Sequence, residues 1–339
     1  MGDLRPVRQV AFVAAGHVEL LSRALAPPGP SEIQVAVTRT LISAGTELDY
    51  LHAVIPGRLR PDVTFPVYPG YSSVGRVVAA GQEVTGVAVG ERVLTMGPHA
   101  DYQNVAAETV VRVPTPISDD VAALAVLGSV ALHGLRRAPP ELGDAVLVVG
   151  DGLVGQLTAR LVGLQGGRPM ALVGRHQLRL DAARRDGVAA TWDGRTIDVP
   201  AAFQKLTGGR LADIVYETAG QVDALVLAFE AARVGGRVVL LGGLRQTLSL
   251  EPECFYLQFM MKELTLVAAS QPVRPERESS YFYWTQRRNR ELILRLIAEG
   301  ALHVEPLITH CLPADEARRA YQLLAESRES TLGVLLDWT

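Results

Sequence analysis

The stretch AVLVVGDGLVGQLTARLVGL, residues 145–164, decides the fold. AVLVVG is a nearly continuous apolar run, the pattern of a strand buried on both faces of a parallel sheet. Gly150-Asp151-Gly152-Leu153-Val154-Gly155 follows and opens an apolar-periodic helix over residues 153–164. G-x-G-x-x-G alone is weak; directly after a strand and at a helix start it reads as a dinucleotide-binding turn. Gly150 permits the tight turn, Gly152 lets backbone approach a pyrophosphate, and Gly155 lets helix and strand pack closely. The N–H groups of the first helical turn, at Leu153, Val154 and Gly155, are then open to the anion. A glycine turn that holds no ligand is the competing reading.

Downstream the pattern alternates. Strands are predicted at 170–173, 212–216, 237–241 and 264–269, with helices at 178–186 and 222–232 between them. Strand alternating with helix means a doubly wound sheet whose crevice lies at the strand C-termini. There the chain offers Gly174, Arg175 and His176 after the second strand, and Thr218 and Ala219 after the third. Gly242 and Gly243 follow the fourth, and Ser270 the last. All are candidate cofactor contacts. No carboxylate stands at Val173-Gly174-Arg175-His176 to grip adenosine ribose hydroxyls, and Arg175 is available for a paired contact to a 2′-phosphate. NADP(H) is therefore favoured over NAD(H).

The first third is β-rich. Apolar alternation runs through residues 33–43 and 72–81, short strands are predicted at 91–94 and 110–113, and Pro-Gly turns punctuate them. At Ser118, an N-cap, a helix is predicted over 119–138. The C-terminal part carries a helix at 289–299, another from Asp315, and a closing strand GVLLDW.

At 339 residues two domains are expected. A net charge of -3 gives no case for nucleic acid or an acidic membrane surface, and no apolar run suffices to span a bilayer. The N-terminus lacks the apolar run of a secretory signal, so a cytoplasmic location is expected. Two cysteines, Cys254 and Cys311, cannot build a disulfide framework or a cysteine-rich metal site.

This order of elements resembles the medium-chain dehydrogenase/reductase (alcohol dehydrogenase-like) superfamily over essentially the whole chain. Ser43-Ala44-Gly45-Thr46-Glu47 is similar to its Cys-Gly-Thr-Asp segment, and Pro69-Gly70-Tyr71-Ser72-Ser73-Val74-Gly75 to its Gly-His-Glu stretch. Val89-Gly90-Glu91-Arg92-Val93 and His99-Ala100-Asp101-Tyr102 match two further segments. The resemblance implies an α/β fold: a GroES-like β-rich catalytic domain over 1–125, a Rossmann doubly wound parallel-sheet domain over 126–272, and a C-terminal return over 273–339. It also implies a homodimer built through the dinucleotide domains. Ala44 stands where the family has a metal-binding cysteine and Tyr71 where it has a histidine, and none of the seven histidines pairs with another ligand at metal spacing. No zinc is expected. Among zinc-lacking relatives, Thr46-Glu47-Leu48 and Leu332-Gly333-Val334-Leu335-Leu336-Asp337-Trp338 are most similar to the bacteriochlorophyllide dehydrogenase-like group.

Without a metal, hydrogen-bond donors must stabilise charge on a substrate oxygen. Thr46 matches the family hydroxyl that starts a proton relay, Tyr71 places a phenol in the vacated histidine position, and Asp49 and His52 are available to continue the relay. Space-filling for Tyr71, a backbone bond for Thr46 and a surface location for His52 are the plain alternatives. Glu47 is read as structural, holding an arginine in place. The aromatic run 281–284 is read as core or subunit interface, and 51–64 as a substrate wall. The expected function is zinc-independent, NADPH-dependent interconversion of a small-molecule secondary alcohol and a ketone, in a biosynthetic pathway. An enoyl reductase and a non-catalytic dinucleotide-binding redox sensor are the alternatives.

Overall fold

The structure, a computed structural model, describes residues 4–53, 63–244, 247–270, 275–276 and 282–339. The chain divides into two compact units, one of residues 1–127 with 274–339 and the other of residues 128–273.

The first unit opens with an antiparallel hairpin, β1 (Arg5–Ala14) and β2 (His17–Leu25). β3 (Glu32–Leu41) leads into α1 (Ala44–Leu51). Then come β4 (Ser73–Ala80), β5 (Arg92–Thr95), β6 (Tyr102–Ala106) and β7 (Val111–Arg112). The helix expected over 119–138 is two helices, α2 (Asp119–Ala122) and α3 (Ala125–Arg137), and from residue 128 onward α3 belongs to the second unit. Ser118 does cap the first, accepting from Val121 N–H at 3.4 Å. The break comes where Leu124 N–H turns to Val121 C=O, a tighter bond than the α ladder makes.

The second unit holds β8 (Val146–Val149), α4 (Leu153–Gln165), β9 (Met170–Gly174), α5 (Gln177–Arg185), β10 (Ala190–Asp193) and α6 (Val199–Thr207). It continues with β11 (Ala212–Glu217), α7 (Val222–Ala231), β12 (Ala232–Leu240), the short α8 (Pro252–Cys254) and β13 (Thr265–Ala268). These strands form one parallel sheet in the order β10-β9-β8-β11-β12-β13. Order reverses beside β8, so the crevice of a doubly wound sheet lies between β8 and β11. Val146 to Val149 are all buried, as a strand covered on both faces requires, and on one face Leu147 and Val149 join a core with Phe203, Val215 and Phe229.

The chain then returns to the first unit through α9 (Gln286–Ala298), β14 (Ile308–Pro313), α10 (Ala317–Glu326) and β15 (Gly333–Asp337). The main sheet there runs β14-β15-β3-β4-β5-β7, and β6 pairs with the first half of β3. α10 buries Ala317, Ala320, Tyr321 and Leu324, a stripe at helical spacing. Tyr321 meets Phe12 edge-on with centroids 5.1 Å apart, in a core with Ile33, Val35, Ile42 and Leu336. Each such buried side chain contributes about 1.5–3 kcal/mol.

Tyr283 and Trp284 are 66% and 39% exposed and meet edge-on, so these two are not core; Tyr281 lies outside the described residues. Most of 51–64 is also outside them, including Arg58, Arg60 and Asp62.

Candidate active site

In the first unit β3 ends at Leu41 and the chain turns straight into α1, which places Ser43 beneath the helix start. Thr46 is exposed in its first turn and Glu47 is buried. The Tyr71 hydroxyl arrives from just ahead of β4, donates to Ser43 Oγ, and lies 3.5 Å from Thr46 Oγ1. Thr46 and Tyr71 are thus brought together. Burial pushes the Tyr71 phenol above its ordinary value, Ser43 and Thr46 partly offset this, and the Glu47 charge adds to it. The phenol is therefore a protonated donor at neutral pH. Asp49 is half-buried further along α1, and His52 is exposed just beyond it, its backbone N–H closing the helix on Leu48 C=O. The hydrogen bonds described for Tyr71 run to Ser43 and Thr46, not to His52.

Glu47 does not hold an arginine. One carboxylate oxygen accepts from Ser43 N–H at 2.8 Å; the other accepts from the Tyr321 hydroxyl and lies 3.0 Å from His99 Nε2. Glu47, His99 and Tyr321 are each at most 1% exposed. The group ties α1, α10 and the segment before β6 together beneath the hydroxyls. Nothing local in the sequence marks it, because its members are separated by 52 and 274 positions.

These residues do not fit a catalytic zinc. Zinc favours nitrogen and sulfur donors, about three from the protein. Ser43, Thr46 and Tyr71 offer only neutral hydroxyl oxygens, and Glu47 and His99 bond each other. Among the described residues no group of three or more His, Cys, Asp or Glu is placed to hold a metal ion.

In the second unit the glycine turn fits a dinucleotide. Gly150 has φ +119°, and a Cβ there would meet Thr218 Oγ1 at 2.4 Å. A Cβ on Gly155 would lie 2.0 Å from Gly150 O, so helix and strand approach at backbone distance. Gly152 has nothing within 4 Å of its Cβ position, and its side of the turn carries no side-chain cap for the first N–H groups of α4. Across the crevice Thr218 bonds Val149 C=O through its N–H at 2.9 Å and its hydroxyl at 3.0 Å. Ala219 and Gly220 N–H both bond the buried Glu217 carboxylate at 2.7 Å. A Cβ on Gly220 would lie 2.3 Å from Gly243 O, and one on Gly242 2.4 Å from Gly220 N. The loop at Thr218 and Ala219 therefore meets the loop at Gly242 and Gly243. Ser270 is exposed beyond β13 at the sheet edge.

A carboxylate does stand at the end of the second strand of this unit, contrary to the sequence reading. It is Asp151, delivered by the glycine turn. A Cβ on Gly174 would lie 2.4 Å from Asp151 Cβ, and only glycine admits that approach. Asp151 Oδ2 accepts from the N–H of Arg175 at 2.7 Å and of His176 at 2.9 Å, and lies 2.9 Å from His176 Nδ1. Arg179 Nη1 is 3.4 Å from Oδ1. Beside this turn the Arg175 side chain pairs with Asp223 at the surface.

Residues 154–280 match the zinc-binding dehydrogenase family, and residues 29–115 match the alcohol dehydrogenase GroES-like domain. The chain belongs to the medium-chain dehydrogenase/reductase superfamily. The chain is 29% identical over 357 aligned positions to 2-desacetyl-2-hydroxyethyl bacteriochlorophyllide A dehydrogenase of Cereibacter sphaeroides, covering 98% of this chain and 99% of the relative. Its fold is that of galactitol-1-phosphate dehydrogenase from Escherichia coli, at TM-score 0.82, 21% identity, and coverage of 97% and 99% of the two chains. It is also that of a zinc-binding-dehydrogenase-type protein from Sinorhizobium meliloti 1021 solved with NADP bound, at TM-score 0.81, 22% identity, and coverage of 98% and 99%. Among the described residues no helix is long and apolar enough to cross a membrane.

Proposed function

We propose that this dehydrogenase interconverts a small-molecule secondary alcohol and its ketone with NADP(H), without zinc. The observation that carries the reading is the Tyr71–Ser43–Thr46 hydroxyl cluster, in which Tyr71 stands where the family resemblance puts a metal-binding histidine and Ala44, between Ser43 and Thr46 in the chain, where it puts a cysteine. When bound, the nicotinamide ring supplies or accepts the hydride. Thr46 and Tyr71 donate hydrogen bonds to the substrate oxygen, where negative charge grows as a carbonyl is reduced. Tyr71, held protonated, delivers the proton, and Ser43, Asp49 and His52 carry its replacement. Glu47 keeps α1 in register beneath them. Leu153, Val154 and Gly155 N–H groups hold the pyrophosphate, Gly174, Arg175 and His176 border the adenosine ribose, and Thr218, Ala219, Gly242, Gly243 and Ser270 line the path to nicotinamide. Reliance on NADPH suits reduction in a biosynthetic pathway, in the cytoplasm.

The Thr46→Val/Tyr71→Phe double variant tests this reading, measured beside the parent after exhaustive chelation. The expectation is parent turnover unaffected by the chelator, and loss of about 10²–10³ or more in kcat in the variant with NADPH affinity retained. Intact turnover in the variant would remove the hydroxyl mechanism; loss of parent turnover on chelation, restored by zinc, would remove the metal-free reading.

The assembly proposed is a homodimer through the edge strand β13. One side of β13 lies open at the end of the sheet with Leu266 43% exposed, and in the same unit Phe255, Tyr256, Met260 and Met261 are each 42–58% exposed. Leu266→Glu combined with Met260→Asp is expected to give a monomer by light scattering. A parent that is itself monomeric contradicts it.

A further inference from the structure

We propose that Arg195 forms the second arm of a 2′-phosphate subsite, closing with Arg175 on the turn that Asp151 holds at the end of β9. The inference rests on the NADP(H) reading and names a residue that reading does not contain. In a doubly wound sheet the adenosine ribose lies beyond the second strand, here β9, whose last residue is Gly174. β10 runs beside it, with Asp193 in register with Gly174, so the residue that leaves β10 emerges next to the ribose position. Gly194 keeps the turn tight: its N–H bonds Gly174 C=O at 3.0 Å, and a Cβ there would press Val173 Cγ1 at 2.9 Å. Arg195 follows. Its Nη2 donates to Arg175 C=O at 2.6 Å and lies 2.7 Å from Asp193 Oδ2. The Arg195 guanidinium therefore lies against the backbone of Arg175, the residue that carries the first arm.

The ion pairs of the region divide into two kinds. Asp151 is 7% exposed, and its Oδ2 is occupied by two backbone N–H groups and His176. It is committed to holding the turn and is poorly placed to accept ribose hydroxyls, as an NAD-selecting carboxylate does. Arg175–Asp223 and Arg195–Asp193, by contrast, expose 56%/60% and 55%/27% of their side chains. Such solvent-screened pairs are weak, so either arginine is readily drawn to a dianion. The Arg195 hydrogen bonds hold Asp193 down to about 2, and the Arg175 charge adds a smaller push in the same direction. A guanidinium fork matches phosphate oxygens in a paired geometry.

The test uses the full chain and two probes, adenosine 2′,5′-bisphosphate and ADP, titrated calorimetrically. The parent is expected to favour the bisphosphate. Arg195→Ala is expected to weaken the bisphosphate by about 10- to 100-fold, the loss of a charge-assisted contact, with ADP affinity changed less than about twofold. Arg195→Lys, which keeps the charge without the fork, is expected to fall between. A parent that favours the bisphosphate while Arg195→Ala leaves that preference intact and Arg175→Ala abolishes it would overturn the Arg195 assignment alone. A parent that binds the two probes equally would overturn the NADP(H) reading, and the subsite with it.

Discussion

Replacing Glu47 by alanine tests the buried support beneath the hydroxyls. The side chain is 1% exposed and accepts from Ser43 N–H and the Tyr321 hydroxyl, with His99 Nε2 at 3.0 Å. Alanine strands three polar groups in a site closed to water. Stranding each costs about 1–3 kcal/mol, but the expense of burying a carboxylate is also removed, so the net loss expected is about 3–5 kcal/mol. Glu47→Gln keeps one carbonyl acceptor and most of the volume, and about 1–3 kcal/mol is expected. The assay is urea unfolding, with a lower midpoint and an unchanged slope as the signature of lost stability. Burial first and the Glu47 charge second hold the Tyr321 phenol well above the ordinary 10.0, so it donates as a neutral group. An acid whose folded value is raised contributes stability that is full below the unfolded value and lost as pH climbs above it. Stability that involves Tyr321 should therefore decline only above about pH 10. A loss under about 1 kcal/mol for Glu47→Ala would refute the reasoning, since a support so easily removed cannot fix α1.

Three further outcomes are expected. Tyr71→Phe should cut kcat by about 10²–10³. Because the Tyr71 value is raised, the parent pH–rate profile should show no falling limb from this residue below the ordinary 10.0, and such a limb at neutral pH that vanished in Tyr71→Phe would contradict it. Gly155→Ala should abolish nucleotide binding by calorimetry while circular dichroism persists, since its Cβ would sit 2.0 Å from Gly150 O. Arg290, 1% exposed and pushed down to about 10 by burial, pairs with Glu276, and Arg290→Ala should cost about 3–5 kcal/mol in urea unfolding.

What the sequence disclosed was whatever is local. β8, its glycine turn and α4 stand in one stretch of chain, so periodicity and turn chemistry reveal them together. Thr46 and Tyr71 were legible because each lies in a short segment with a family counterpart. The hairpin β1–β2 went unseen because its second strand is mostly exposed and lacks a clean alternation. β10 was missed because it has four residues, all only partly buried, at the sheet edge. α1 was hidden within a motif that carries Gly45 and the β-branched Thr46, both weak helix formers. The role of Asp151 is not legible in the glycine motif, because its partners at Arg175 and His176 are 24 and 25 positions away. The Glu47–His99–Tyr321 group is the extreme case: three polar residues on separate elements, each ordinary in its own neighbourhood.

The most direct test of the central claim is to follow deuterium from C4-deuterated NADPH into products formed from a panel of saturated ketones and conjugated enones, read by NMR. The account predicts secondary alcohols with deuterium on the carbinol carbon, including allylic alcohols from enones. Saturated ketones with deuterium at the β-carbon would contradict it and make the protein an enoyl reductase.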